Sequence, residues 1–427
     1  MIMNSSKQEV IQLGLRIYLK PEVVRMTFLG FSAGLPHPLL FASLSAWLAS
    51  AKISMTDLTM FAWVGIVYAI KFLWAPILDN VSIQYLSKTL GQRRSWILLT
   101  QILIFSGLLF IPSIDPQTEL GFLAIISTAI AFASASQDIA IDAYRVEIIS
   151  NKYQGAMGAS YQLGYRISFL FSAAGALYLA DYYSWKIAYQ ALAPLMLIGI
   201  ITVLLIPEPI HKKSLDGEGY SFQKSILEPF MEFFRRNGSW SLMLIIFIGV
   251  YRMSDLLVNV VANPFYMDIG FNLSEIATIT KVFGFAVTVL GTLIGGLSVV
   301  RYGISRPLII SSILLAITNL FFLLLESMGP NIEILILTIS ADNFALGFSG
   351  SIFIAFLSSL TNRDYAASQY ALFTSIMFLL GIILSGFSGQ LVDHYGWSNF
   401  FIWAAFMGIP SILFSFIIVR KGWQEQD

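Results

Sequence analysis

No cysteine occurs among the 427 residues, which excludes disulfides, thiolate metal sites and cysteine nucleophiles and leaves the redox compartment unread. Charge is scarce as well: 12% of residues are Asp, Glu, Lys or Arg, against 57% hydrophobic, and mean hydropathy is +0.75. A water-soluble fold of this length needs far more charged surface, so the composition is that of a polytopic membrane protein. Lys plus Arg and Asp plus Glu both total 25; there is no net charge to draw nucleic acid, and no nucleic-acid partner is expected. The three histidines, His37, His211 and His394, are too dispersed to form a metal cluster by sequence spacing. With no Gly-rich phosphate loop and no nucleophile elbow, neither an enzyme nor a bound metal or cofactor is expected. A membrane-embedded acyltransferase built on His37 is conceivable, but the repeat described below argues against it.

What is present is a succession of apolar runs long enough to cross a bilayer, about 20 residues each. They lie near residues 26–50, 57–78, 95–114, 118–149, 155–180 and 186–206, and again near 240–262, 273–300, 307–327, 331–359, 367–390 and 396–419. The first begins after four basic residues and outlasts a signal-peptide core, so it reads as a retained helix. Six spans and six more predict an N-terminal bundle over 1–206, a cytoplasmic linker over 207–238 holding one amphipathic helix, and a C-terminal bundle over 239–427. With the N-terminus cytoplasmic, eighteen of the twenty basic residues outside the spans fall on the inner side, and only Lys52 and Lys186 fall outside. Both termini are therefore expected in the cytoplasm.

The halves repeat at an offset of 212: Gly91 and Arg94 return as Gly303 and Arg306, Tyr153 as Tyr365, and Asp181–Trp185 (DYYSW) as Asp393–Trp397 (DHYGW). Parallel repeats of this kind predict an all-α membrane protein of the major facilitator architecture, twelve helices in two pseudo-symmetric bundles. Both inner loops, LDNVSIQYLSKTLGQRRSW and GGLSVVRYGISRPL, resemble the loop pattern of that architecture. Asp79, Gly91, Arg93 and Arg94 are accordingly expected to act in gating. So are Gly30, Gly34 and Pro36 of span one, where close packing and a bend suit a helix that rocks.

Charges inside the spans are few and costly unless they face an interior or a wet cavity. In SQDIAIDAYR, Asp138, Asp142 and Arg145 stand at i, i+4 and i+7, on one helix face. One guanidinium between two carboxylates can satisfy one of them, leaving the other to carry a proton. A static ion network is the plainer alternative. Lys71 and Trp74 share a face in span two, Arg166 lies in span five, Arg252 and Asp255 stand at i and i+3 in span seven, Lys281 is in span eight, and Asp342 with Asn343 is in span ten. Five intramembrane cations around a few acids suggest an interior that tolerates an anionic solute.

GFSAGLP (30–36), KFLWAPILD (71–79), GQRRSW (91–96), SQDIAIDAY (136–144) and LGYR (163–166) resemble, in order and spacing, the AmpG-type muropeptide permeases; YRMSD (251–255) and Lys281 are similar to that family's pattern in spans seven and eight. The resemblance implies proton-driven import of N-acetylglucosaminyl-anhydro-N-acetylmuramyl compounds, with or without peptide, by a monomer in the bacterial inner membrane. Residue by residue it makes Asp138, Asp142, Arg145, Lys71, Arg166, Asp255 and Lys281 cavity candidates. Proton coupling is expected of Asp138, Asp142, Arg145 and Asp255, and substrate contact of Lys71, Trp74, Gln137, Arg166, Arg252, Lys281, Asp342 and Asn343. A CoA-ester transporter of related helical plan and a non-transporting sensor are the competing readings.

Overall fold

The computed structural model describes residues 19–149, 154–209, 227–362 and 366–420, and the side chain of Asp79 lies outside the described residues. Tyr153 and Tyr365 of the repeat are outside them too. The described elements are helices. Ten of them are long and apolar enough to cross a membrane, among them Gln92–Ser113, Leu120–Ile148, Trp240–Asp268 and Ile332–Leu360. The runs expected as spans one and eleven are helical as well but fall outside those ten. The first is divided at Leu35, ahead of Pro36, and again by a π-helical stretch at Leu39–Ser43; the other contains the shorter apolar helix Leu372–Ser385.

The contacts divide the chain into two compact units, Met1–Ser43 with Lys71–Gly217, and Leu44–Ile70 with Glu218–Asp427. In the first, helix Pro21–Gly34 packs on helix Gln154–Tyr182 with backbones touching. A Cβ on Gly30 would stand 2.1 Å from the Tyr161 carbonyl oxygen, and one on Gly164 would stand 1.8 Å from that of Thr27. Only glycine allows so close a crossing, as in small-residue seams between membrane helices generally. Around it lies an apolar core that includes Met26, Leu29, Ile97, Ile141, Met157 and Val203.

The second unit is held by an aromatic core, in which Tyr251 stacks on Phe353 with ring centroids 3.8 Å apart. The linker helix, Glu228–Asn237, joins this unit. Phe233 is fully buried in the core, the Glu232 carboxylate accepts from Asn362 Nδ2 (2.9 Å) and Gln369 Nε2 (2.6 Å), and Arg236 donates to the Leu360 carbonyl.

Residues 44–70, counted with the first bundle by their place in the sequence, group by contact with the second unit. A seam of hydrogen bonds explains it. Thr56 donates its amide (3.0 Å) and hydroxyl (2.7 Å) to Asp393 Oδ2, Thr59 Oγ1 donates to the Gly386 carbonyl while accepting from the Gly389 amide, and Trp63 Nε1 donates to the Ile383 carbonyl. A Cβ on Gly389 would lie 1.9 Å from the Met55 carbonyl oxygen, so two helices meet there without side chains between them.

The repeat appears in the backbone. Gly91 and Gly303 both stand at a helix end with positive φ (89° and 69°) and ψ near 180° (174° and 179°), a conformation that disfavours residues with a Cβ.

Candidate functional site

In the first unit the site begins where span two stops being an ordinary helix. It runs as short pieces, with a 3-10 turn at Lys71–Leu73 and Ile70 and Trp74 both off helical values, before a proline in the first turn of Ala75–Asn80 restarts it. A proline there cannot donate to the preceding turn, so the break has a local cause. It turns Lys71 and Trp74 onto span four: Lys71 Nζ lies 3.7 Å from Asp138 Oδ2, and Trp74 Nε1 donates to Ser136 Oγ (3.0 Å) with its ring 4.8 Å from that of Phe132. The other oxygen of Asp138 is buried with no hydrogen bond of regular distance and angle among the described residues, and the Tyr161 side chain is close enough to act on the carboxylate. A carboxylate with one oxygen paired and one so loosely held can take up a proton, or a donor from a ligand, without first dismantling a network.

Asp142 forms its own ion pair, 3.3 Å from Arg145, so the shared guanidinium expected from sequence is corrected: each acid has its own cation. Spacing along one helix could not foresee this, because Lys71 arrives from another span. Gln137 is fully buried and donates to Ser32 Oγ (3.2 Å), which also accepts from Gln101 Nε2 (3.0 Å), while Oε1 of Gln137 is buried without a hydrogen-bond partner among the described residues. Arg166 is exposed and makes no ion pair with the described residues. Sequence reading missed Tyr161 and Tyr165, whose rings lie 6.2 Å apart beside Asp138. Their spacing of four on the same helix face was the available signal.

At one end of the first unit the expected gating residues have partners that the sequence reading left in the linker and in span four. Glu208 caps helix Gln92–Phe110 by accepting from the amides of Arg93 (2.8 Å) and Arg94 (3.1 Å), and a Cβ on Gly91 would collide with the Glu208 side chain at 2.2 Å. The Arg93 guanidinium grips Glu147 through Nη2 (2.6 Å) and Nε (3.1 Å), while Arg94 reaches the Val203 and Leu204 carbonyls. Spans three, four and six are thereby tied at one end.

In the second unit, span seven breaks at Tyr251–Arg252 between helices Trp240–Val250 and Met253–Asp268. Arg252 pairs with Asp255, and the second oxygen of Asp255 accepts from Asn259 Nδ2 (2.8 Å). With both oxygens engaged and only 4% exposure, Asp255 is in a closed pair in this conformation. Lys281 sits in a π-helical stretch, Ala277–Phe283, and donates to Asn263 Oδ1 (3.0 Å). Asn343 Oδ1 accepts from Thr288 Oγ1 (2.8 Å). Asp342 is half-buried and has no hydrogen bond or ion pair among the described residues.

The Major Facilitator Superfamily profile matches residues 26–385. The chain is 31% identical to the anhydromuropeptide permease of Escherichia coli (strain K12) over 93% of its own length and 80% of the relative's. It is 31% identical to a protein named AmpG 1 from Rickettsia prowazekii (strain Madrid E), over 92% and 97%. Among solved structures, the nucleoside transporter NupG matches with a TM-score of 0.70 at 18% identity over 94% of this chain and 99% of that one. A D-xylose-proton symporter matches at 0.69 and 14%, over 96% and 98%; these two likenesses show the fold. The chain belongs to the Major Facilitator Superfamily and, within it, to the AmpG-type permeases.

Proposed function

We propose that this protein imports anhydromuropeptides, coupled to protons, across a bacterial inner membrane, as a monomer with both termini in the cytoplasm. The observation that carries the reading is the likeness, over nearly the whole chain, to a relative named for anhydromuropeptide transport. The geometry of the first unit supports it. A sugar acid needs an aromatic face and a cation, and Trp74 and Lys71 offer both beside span four. Coupling is assigned to Asp138, whose loosely held oxygen and single cationic partner suit alternate capture of a proton and of Lys71. Asp142 and Arg145 are its neighbours in that role, and Arg166, Arg252, Lys281, Asp342 and Asn343 are the further substrate contacts. The six-plus-six bundle organisation, with Gly30, Gly34, Pro36, Gly91, Arg93 and Arg94 acting at its moving ends, belongs to the same reading.

The test is uptake by proteoliposomes under an imposed pH gradient, with labelled anhydromuropeptides and CoA esters side by side. Muropeptide accumulation in the wild type, abolished in Asp138→Asn while counterflow exchange persists, is the expected result. Preferential uptake of a CoA ester would hand the protein to that substrate class. Binding without uptake of either would make it a sensor.

A further inference from the structure

Two half-buried ionisable groups in the second unit form no close ion pair among the described residues, the charged neighbours of Asp342 being Asp255 and Arg252. Lys281 is bonded only to the neutral amide oxygen of Asn263, and Asp342 makes no hydrogen bond or ion pair. Their opposite signs would let them neutralise each other, yet they do not pair, although they lie on helices that pack together. The packing sets their levels. Gly284 meets span ten at Ile339 and Asn343, where a Cβ would stand 3.2 Å and 3.1 Å from those side chains. Lys281 is three residues before Gly284 and Asp342 one before Asn343. At about 1.5 Å per residue, and with spans eight and ten parallel, the two side chains differ in height by roughly 3 Å if Gly284 is level with Asn343 and by roughly 9 Å if it is level with Ile339.

The backbone that presents Lys281 is itself irregular, a π-helical stretch, and such bulges recur at functional sites because they re-aim a side chain at the cost of regular bonding. Nearby, Arg252 and Asp255 show the contrasting arrangement: the two charges are joined, and Asn259 donates to the second carboxylate oxygen. A cation and an anion left apart within about two turns of each other inside a membrane are expensive unless a ligand completes both.

We propose that Lys281 and Asp342 form a recognition site for a zwitterionic group, a carboxylate and an ammonium carried on one peptide arm of the transported solute. The inference rests on the muropeptide reading and deepens it. Lys281 takes the carboxylate and Asp342 the ammonium, while Asn263 and Asn343 supply neutral hydrogen-bonding groups beside them. No proton or bond need change hands.

Four competitors decide it: the peptide-free disaccharide, the disaccharide with a peptide ending in a diamino acid, that compound acetylated on its free amine, and that compound amidated on its carboxylates. Each competes against uptake of the labelled disaccharide in proteoliposomes, and each is also ranked by thermal stabilisation of the detergent-purified protein. In the wild type the zwitterionic compound should outcompete both blocked forms by about tenfold, the scale of one solvent-excluded charge contact. Asp342→Asn should erase the preference over the acetylated form and Lys281→Met the preference over the amidated one. The readout is the ratio within each variant, so a general loss of uptake cancels. Equal competition by all three peptide compounds in the wild type, or preferences that survive in both variants, overturns the proposal. If the disaccharide is not taken up while the stabilisation ranking holds, the import reading falls and the zwitterion site stands.

Discussion

At the scale of single residues, the pair Lys71–Asp138 carries the most consequence. Lys71 was read from sequence as a ligand-facing cation, and its i, i+3 relation to Trp74 was legible; its partner was not, because the partner lies 67 residues away on span four. Removing one member of such a pair leaves the other charged and alone in the membrane, which costs more than the pair contributes. Lys71→Ala is therefore expected to lower the thermal midpoint of the detergent-purified protein, by the equivalent of about 2 kcal/mol. Lys71→Ala combined with Asp138→Asn should recover most of that loss. Additive effects of the two substitutions would mean that the carboxylate and the ammonium do not depend on each other. Gln137 is adjacent to Asp138 in sequence, but on a helix one residue is a turn of about 100°, and that rotation takes it from the Lys71 side into contact with Ser32.

At the scale of elements, the apolar runs were legible because nearly every crossing helix shows itself as an unbroken apolar stretch. Their irregularities were less so. The glycine and proline cluster of span one announced a bend, and the helix is divided at Leu35, which itself keeps helical dihedrals. Nothing in the apolar pattern marked the breaks at Ile70–Trp74 and Tyr251–Arg252, or the π-helical stretch at Lys281, since these depend on which polar side chains find partners across helices. Close crossings give a direct test. A Cβ at Gly164 would stand 1.8 Å from the Thr27 carbonyl oxygen, whereas one at Gly296 meets nothing within 4 Å. Gly164→Ala should cost about 3 kcal/mol or prevent folding, and Gly296→Ala should be neutral or mildly stabilising. Equal effects would show that helix Pro21–Gly34 does not approach as closely as described.

The seam between residues 55–63 and 383–393 belongs to the same scale. Residues 44–70 group with the second unit while their continuations on both sides group with the first, so a transporter that alternates its opening has to part this seam in one of its states. The absence of cysteine makes the test clean, because Thr56→Cys with Asp393→Cys introduces the only two thiols in the chain. A short bifunctional thiol reagent should join them, since the native side chains meet at 2.7 Å. Joining should stop uptake, and reductive cleavage of the linker should restore it. Undiminished uptake by fully cross-linked protein would make the seam a permanent part of the second unit.

For the whole molecule, the class was legible from scarcity of charge and the internal repeat from the offset of 212, which the matching turns at Gly91 and Gly303 bear out in the backbone. The substrate was not legible in composition, because an aromatic face with a cation suits any sugar acid. Orientation rests on a count: under one assignment eighteen of twenty basic residues outside the spans lie on the inner side, and under the other only two do. Insertion favours the first arrangement strongly, since each short loop rich in Lys or Arg resists translocation. Gly238, ahead of the helix that begins at Trp240, and Gly270, beyond the one that ends at Asp268, bracket span seven, so a single crossing separates them. A phosphatase fused after Gly270 should be active and one fused after Gly238 silent, with a cytoplasmic fluorescent reporter giving the reverse pattern. Because both sites flank one span, the same side at both would mean that span seven, broken at Arg252, does not cross; exchanged sides would invert the entire topology and move Arg93, Arg94 and Glu208 to the outer face.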